Sequence, residues 1–261
     1  MARVHNFSAG PSTLPVSVLQ RAANEMLDYK GSGQSVLEMS HRSKVFQGIL
    51  DNTRDLVREV MHVPDNYQIL FVQGGGSTQF AMVPLNFLTK SGKADYIVTG
   101  KWADNAYKEA CKYGDIKLVA SSKDKMYSYI PHVDKSMFTP DADYLHICQN
   151  NTIYGTRFTE LPDCGDIPLV ADLSSCILSE PIDVSKYACI YAGAQKNMGP
   201  SGIYQNIQRF LLFQLTVNVT ACFLVLCGAF MGTESPLIFN VIPKDSRPSL
   251  LDRNHCRPVS D

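Results

Sequence analysis

The sequence predicts an α/β domain built around a mainly parallel sheet. Short apolar segments typical of strands alternate with amphipathic segments typical of helices through most of the 261-residue chain. Glycine-rich or polar residues directly follow several of these strands. Because ligands bind beyond the carboxyl ends of the strands in such sheets, we expect one ligand site where those ends meet.

The order of the elements follows from the spacing of the apolar residues. An arm over residues 1–15 precedes two helices at 17–29 and 43–61, each with apolar residues at helical spacing. A strand at 67–73 then leads through a glycine turn into a helix that ends at residue 88. The remaining predicted elements are a helix at 103–113 and strands at 96–99, 117–121, 144–148, 168–171 and 188–192.

The composition limits the classes of partner. The formal net charge is −1, which argues against a nucleic-acid surface and against a polybasic membrane patch. Small molecules or a second copy of the chain are the expected partners. The first residues contain no apolar signal segment, so we expect a cytoplasmic protein. The spacing of His and Cys predicts no metal site.

Lys196 is the residue around which the predicted site is arranged. It lies in a loop of small residues after the last predicted strand, and Gly193, Gly199 and Gly202 interrupt any regular helix there. A lysine desolvated in such a turn has a lowered pKa, and a neutral amine is what Schiff-base chemistry requires. If this stretch is taken alone, a solvated loop lysine is the alternative.

A phosphate site is predicted at the sequence Gly-Gly-Gly-Ser-Thr, residues 74–78. Bare backbone amides at the start of a helix attract an anion, and two hydroxyl groups add further donors. The motif has neither the lysine of a P-loop nor the spacing of the dinucleotide fingerprint, so a simple tight turn is the alternative.

Further side chains after the predicted strands complete the candidate site. Asp172 could hold a protonated ring nitrogen, Trp102 could stack on a flat ring, and Thr152 could hydrogen-bond a phenolic oxygen. Arg42 with His41 could bind a carboxylate or phosphate. Taken singly, each has an ordinary alternative as a helix cap, a packed aromatic ring, a turn residue or a surface cation. Together with the lysine and the phosphate site they describe a pyridoxal phosphate site.

Several motifs resemble those of the phosphoserine aminotransferases, a family of class V, fold-type I enzymes. The most specific are Ser-His-Arg-Ser at residues 40–43 and Gly-Ala-Gln-Lys-Asn at residues 193–197. The resemblance implies a three-layer α/β/α large domain over residues 16–202 that binds pyridoxal phosphate. It also implies that the family's small C-terminal domain is truncated or replaced here.

The resemblance implies a role for each candidate residue. Lys196 would join the cofactor as a Schiff base and move the substrate proton, and Asp172 would pair with the pyridine nitrogen. Trp102 would stack on the ring, and Thr152 would contact its phenolic oxygen. The cofactor phosphate would be held by Gly76, Ser77 and Gln195, and the anionic end of the substrate by Arg42 and His41.

The reaction that the resemblance implies moves an amino group between L-glutamate and 3-phosphohydroxypyruvate. Its products are O-phospho-L-serine and 2-oxoglutarate, a step of serine biosynthesis. The family also implies a homodimer with both sites at the interface.

The resemblance ends at Gly202, and residues 203–261 form a divergent tail. Residues 210–233 carry no charge and are long enough to span a membrane. Polar residues within them argue against a span, so we expect no membrane segment. The abrupt change predicts a splice product or a misread gene, with a membrane anchor or a packed element as alternatives. Because the family's remaining substrate-binding residues lie beyond this point, a second hypothesis is a truncated isoform that binds the cofactor, or pairs with a full-length subunit, with little or no turnover.

Overall fold

The computed structural model describes residues 3–7, 13–72 and 74–198 of the chain. Its strands are β1 (Lys93–Val98), β2 (Asp115–Ser121), β3 (Tyr144–Cys148), β4 (Leu169–Asp172) and β5 (Cys189–Tyr191). They form one five-stranded sheet in the order β2-β1-β3-β4-β5, and every neighbouring pair is parallel. The prediction of an α/β fold with a parallel sheet is therefore confirmed.

Four α-helices accompany the sheet in the described part of the chain. They are α1 (Val16–Asn24), α2 (Lys44–Val60), α3 (Gly75–Phe87) and α4 (Lys101–Ala110). The hydroxyl of Ser43 accepts a hydrogen bond from the backbone N–H of Phe46 at 3.1 Å and so caps the start of α2. Helix α1 ends at Asn24, earlier than predicted, and in the turn that follows the carboxylate of Asp28 accepts the backbone N–H of Gly33.

The sheet is buried on both faces, as parallel sheets require. One apolar cluster forms where α3 and α4 pack on it, around Tyr96, Val98 and Tyr144. A second cluster on Ile97 and Leu145 lies on the opposite side of these strands. Because alternate residues of β1 and β3 belong to different clusters, the pattern of burial holds the strands in register and fixes where their carboxyl ends lie.

The strand predicted at residues 67–73 is wrong for the part that the structure describes, because residues 67–72 form no strand and residue 73 is not described. Leu70, Phe71 and Val72 are all exposed. The hydroxyl of Tyr67 donates to the backbone carbonyl of Tyr187 at 2.7 Å, close to the start of β5. The apolar pattern was present, but a strand also needs a neighbour to pair with, and residues 67–72 pair with no described strand.

Within the described residues, no helix combines the length and the apolar character needed to cross a membrane. The divergent tail at 203–261, including its apolar stretch, lies outside the described residues, as does part of the predicted N-terminal arm.

Replacing Leu145 by alanine should lower the free energy of unfolding by about 2–5 kcal/mol, because the side chain is fully buried between sheet and loops. Leu70→Ala is the matched control: that leucine is 74% exposed, so its loss should change stability by less than about 0.5 kcal/mol. Denaturant unfolding measures both variants. A cost at Leu70 equal to that at Leu145 would contradict the exposed position described for residues 67–72.

Candidate active site

A cavity of about 260 Å³ lies beyond the carboxyl ends of β3, β4 and β5. Seven of the residues predicted for the site line it: Gly76, Ser77, Trp102, Thr152, Asp172, Gln195 and Lys196. The structure therefore brings together residues that lie up to 120 positions apart in the sequence. Arg42 and His41 do not line this cavity; both are exposed in the turn that precedes α2.

Asp172 is the last residue of β4 and its carboxylate faces the cavity. Only 5% of the residue is exposed, and no ion pair to it occurs among the described residues. Burial raises the pKa of this carboxyl, while hydrogen bonds from Ser174 and Tyr191 and the charge of Lys196 act in the opposite direction. A buried carboxylate without a paired cation suits a ligand that carries a protonated ring nitrogen.

Lys196 follows β5 by five residues and begins a short 3₁₀ turn, Lys196–Met198. Its backbone has φ of +54°, a left-handed conformation that side-chain-bearing residues seldom adopt. Burial lowers the pKa of its amine, although Cys176, Asp172 and Cys148 act in the opposite direction. The turn thus presents to the cavity an amine that loses its proton more easily than that of a surface lysine.

The anion site was predicted at the start of α3. Gly74 precedes the helix with φ of +90°, and a Cβ there would lie 2.0 Å from the hydroxyl oxygen of Thr78. The helix has no side-chain cap and no acidic residue in its first turn. Among the described residues no group accepts its first N–H groups, at Gly76 and Ser77, so these could bind an anion on the cavity wall.

Gly76 also lies against the loop that carries the lysine. A Cβ at this position would lie 3.2 Å from the hydroxyl oxygen of Ser174 and 4.0 Å from the backbone nitrogen of Gly193. That same Gly193 nitrogen donates to the Ser174 hydroxyl at 2.9 Å. The close approach joins the anion site, the turn after β4 and the loop after β5 into one wall.

Trp102 and Thr152 stand on segments that are tied to each other. Trp102 lies in the first turn of α4 and is 40% exposed, so its ring is available on the cavity side. Asn151, next to Thr152, is buried and donates through its amide nitrogen to the carbonyl of Thr99, two residues before α4. A Cβ at Gly100 would collide with this amide, so glycine allows the two segments to approach.

Two thiols near the lysine are excluded as nucleophiles. Burial raises the pKa of the Cys148 thiol and raises that of Cys176 to about 11. Both are therefore neutral thiols near neutral pH, and only a thiolate is a good nucleophile. The reactive groups that remain at the cavity are the amine of Lys196 and the carboxylate of Asp172.

The sequence reasoning missed several wall residues. Phe80, Cys148, Ser174, Ser175 and Gly193 also line the cavity. A signal existed for Ser174, because an Asp followed two residues later by Ser forms an Asx turn, and the Ser174 N–H donates to Asp172 at 2.8 Å.

A larger groove, of about 520 Å³, lies at the amino ends of β4 and β5 and contains none of the predicted site residues. It is lined by Leu169, Lys186 and residues 159–165. In open parallel sheets, ligands bind at the opposite end of the strands, and the smaller cavity is therefore the candidate active site.

Comparison with known proteins places this arrangement in a family. The sequence profile described as Aminotransferase class-V matches residues 4–204. The chain belongs to the class V aminotransferase family. It is 50% identical over 203 residues to a phosphoserine aminotransferase of Bacillus thuringiensis. The alignment covers 78% of this chain and 56% of that protein. The resemblance stated from the motifs is confirmed.

Solved structures agree with the fold of this class V aminotransferase chain. A phosphoserine aminotransferase from Bacillus circulans matches with a TM-score of 0.71 and 44% identity, over 76% of this chain and 55% of that one. A pyridoxal phosphate-bound phosphoserine aminotransferase from Trichomonas vaginalis matches with a TM-score of 0.69 and 37% identity, over 76% and 56%. The chain thus spans about half the length of the relatives it matches.

The lowered pKa of Lys196 predicts an early reaction with an amine-selective acylating reagent as pH rises. Because a lower pKa leaves more neutral amine at a given pH, Lys196 should be labelled at lower pH than Lys108, which lies exposed on α4. Mass spectrometry of peptides measures both profiles in the same sample.

Asp172→Asn provides the control for this profile. The Asp172 charge raises the pKa of Lys196, so its removal should move the Lys196 profile to still lower pH and leave Lys108 unchanged. Identical profiles for Lys196 and Lys108 in the unsubstituted chain would contradict a desolvated amine.

Proposed function

We propose that this chain binds pyridoxal phosphate at the cavity and acts in the transfer of an amino group from L-glutamate to 3-phosphohydroxypyruvate. The observation that carries the proposal is the meeting of three groups on one cavity: the desolvated amine of Lys196, the buried carboxylate of Asp172 and the uncapped start of α3. The curated relatives named phosphoserine aminotransferase supply the substrate pair.

The residues of the cavity fit the cofactor group by group. Asp172 offers a buried anion for the protonated pyridine nitrogen, which is the charge partner that the described residues do not supply. Trp102 offers a ring face for stacking, and Thr152 offers a hydroxyl for the phenolic oxygen. Gly76 and Ser77 at the start of α3, together with the amide of Gln195, would hold the phosphate.

Pyridoxal phosphate, when bound, supplies an electron sink that stabilises the charge left on the substrate carbon as its proton departs. Lys196 would attach the cofactor while no substrate is present. When it is not joined to the cofactor, the Lys196 amine would accept the proton from the substrate carbon and would later donate it to the cofactor. A lowered pKa suits this task, because a general base works best when its pKa lies near the working pH.

Asp172 would keep the ring nitrogen protonated throughout. A protonated nitrogen draws electrons from the substrate carbon, so the carboxylate acts on the reaction through charge and not by contact with the substrate. Burial increases the strength of this pairing, since the interaction of two charges is stronger where water is excluded.

Arg42 and His41 remain proposed ligands for the anionic end of the substrate. Neither forms an ion pair with another described residue, so the cation of Arg42 is available for a carboxylate or phosphate. We propose that the chain acts as a homodimer, with these residues joining the site in the assembled enzyme. A cytoplasmic location belongs to the same proposal.

The test is an absorbance spectrum of the purified chain with pyridoxal phosphate, before and after addition of L-glutamate. A visible band of lysine-bound cofactor that is converted by glutamate to the amine form would support both cofactor binding and the first half of the reaction. A band that glutamate leaves unchanged would favour the second hypothesis, a chain that binds the cofactor with little or no turnover. No band at all would contradict the cofactor assignment.

Lys196→Ala should abolish covalent attachment of the cofactor. Borohydride reduction of the loaded chain fixes the cofactor on the lysine that holds it, and mass spectrometry then locates the added mass. We expect it on the peptide that contains Lys196 and expect none in the variant, because the amine that forms the bond is gone.

Lys108→Ala is the control for this experiment, since Lys108 is exposed and pairs with Asp104 on α4. It should retain attachment at Lys196 and the same transfer rate as the unsubstituted chain. Attachment that persists in Lys196→Ala, or that is lost in Lys108→Ala, would contradict the assignment.

A further inference from the structure

A line of buried polar side chains runs from the candidate site into the sheet. Tyr191 lies opposite Asp172 where β4 pairs with β5, so their side chains project from the same face. Nε2 of His146, on β3, lies 2.9 Å from the hydroxyl oxygen of Tyr191. All three residues are buried, with exposures of 5% for Asp172, 8% for Tyr191 and 1% for His146.

The direction of the hydrogen bonds follows from the chemistry of the groups. Because Tyr191 on β5 reaches His146 on β3, its side chain crosses β4 on the face that carries Asp172. An ionised carboxylate can only accept hydrogen bonds, so a Tyr191 hydroxyl that serves Asp172 donates its one proton there and accepts the proton on Nε2 of His146. That arrangement requires the Nε2–H tautomer of His146, a neutral ring because burial lowers its pKa to about 3.

The surroundings of Nδ1, the other ring nitrogen of His146, are consistent with a proton on Nε2. Nδ1 has no hydrogen-bond partner among the described side chains and backbone, so no acceptor there competes for the ring proton. The ring also stacks on Tyr96, with 4.6 Å between ring centroids and 16° between planes, which restricts its orientation. His146 is thus held with Nε2 within hydrogen-bond distance of the Tyr191 hydroxyl.

We propose that Tyr191, held by His146, positions the Asp172 carboxylate for the ring nitrogen of the bound cofactor. Neither Tyr191 nor His146 lines the cavity, so both act through Asp172 and are positioning residues. The inference rests on the proposed cofactor and assigns two residues that neither the motifs nor the lining of the cavity identified.

Burial explains why the carboxylate needs these donors. It raises the pKa of Asp172 and so favours the neutral acid, which could not stabilise a protonated ring nitrogen. Hydrogen bonds from Ser174 and Tyr191 oppose this effect, as does the charge of Lys196.

The remaining titratable groups that face Asp172 carry no charge. Cys148 on β3 and Cys176 beyond β4 both have raised pKa values, because both thiols are buried. They stay protonated near neutral pH and so supply no charge that would offset the burial. The donors and the lysine are therefore the groups that oppose the effect of burial on the pKa of Asp172.

Tyr191→Phe tests the proposal, because it removes the hydroxyl and preserves the ring. In the cofactor-free chain, ¹³C NMR of labelled aspartate should show the titration midpoint of Asp172 raised by about one pH unit, the tenfold shift typical of one lost hydrogen bond to a charged group. Tyr144→Phe is the matched control, since it removes an equally buried hydroxyl that pairs with Tyr96 at 2.8 Å. The control should leave the Asp172 midpoint unchanged.

The second measurement is the affinity for pyridoxal phosphate as a function of pH. Trp102 is the only tryptophan of the chain and lines the cavity, so quenching of its fluorescence reports binding. Only the ionised Asp172 pairs with the ring nitrogen. If the pKa of Asp172 is raised, acidification therefore abolishes binding at a higher pH. We expect Tyr191→Phe and Tyr144→Phe to bind alike where Asp172 is ionised in both, and Tyr191→Phe to lose binding on acidification at a pH about one unit higher.

Substitution of His146 separates positioning from packing. His146→Gln retains an N–H donor for Tyr191 and should keep the pH profile close to that of the unsubstituted chain. His146→Phe retains a ring but no donor, and should shift the profile in the same direction as Tyr191→Phe. A purely structural role would lower the unfolding temperature of both histidine variants without shifting either profile.

The outcomes distinguish this inference from the proposed function. If Tyr144→Phe and Tyr191→Phe show the same Asp172 midpoint, the positioning role is overturned even when the cofactor binds. If the unsubstituted chain binds no cofactor, the proposed function fails, while the NMR titration still decides whether Tyr191 acts on Asp172.

Discussion

The parallel pairing of β4 between β3 and β5 is the constraint on which the site depends. Its register places Cys148, Asp172 and Tyr191 side by side at one end of the sheet. Adjacent strands are about 4.8 Å apart, so the residues that follow three neighbouring strands fall within reach of one small ligand. The loop bearing Lys196 and the start of α3 then close around this point, and Gly76 permits their close approach.

Much of this site could be predicted because several of its residues lie in short, recognisable sequence patterns. A glycine run before a helix indicates an anion site whatever the rest of the fold, and Lys196 and Asp172 each follow or end a buried apolar run. The parallel topology then converts separate strand ends into one place. The alternation of helices and strands predicted this parallel topology, and seven of the predicted residues line one cavity because of it.

Other features could not be predicted because they depend on pairing between distant segments. The residues at 67–72 carry the apolar pattern of a strand, yet the pattern does not say whether a neighbouring strand is present to accept their hydrogen bonds. His146 and Tyr191 are 45 positions apart and meet only through the register of three strands, so no local motif reveals them. The exposed turn at Arg42 similarly gives no indication, from sequence alone, of the distance between its cation and the cavity.

The left-handed backbone at Lys196 lowers the stability of the protein at the residue whose amine its proposed chemistry requires. At φ of +54° a glycine would be free of the steric strain that the lysine Cβ experiences, which is on the order of 1 kcal/mol. A directed-evolution campaign that selects only for resistance to heat would therefore tend to enrich glycine at this position and discard the amine. Any effort to make this protein more robust needs a selection that also demands the lysine.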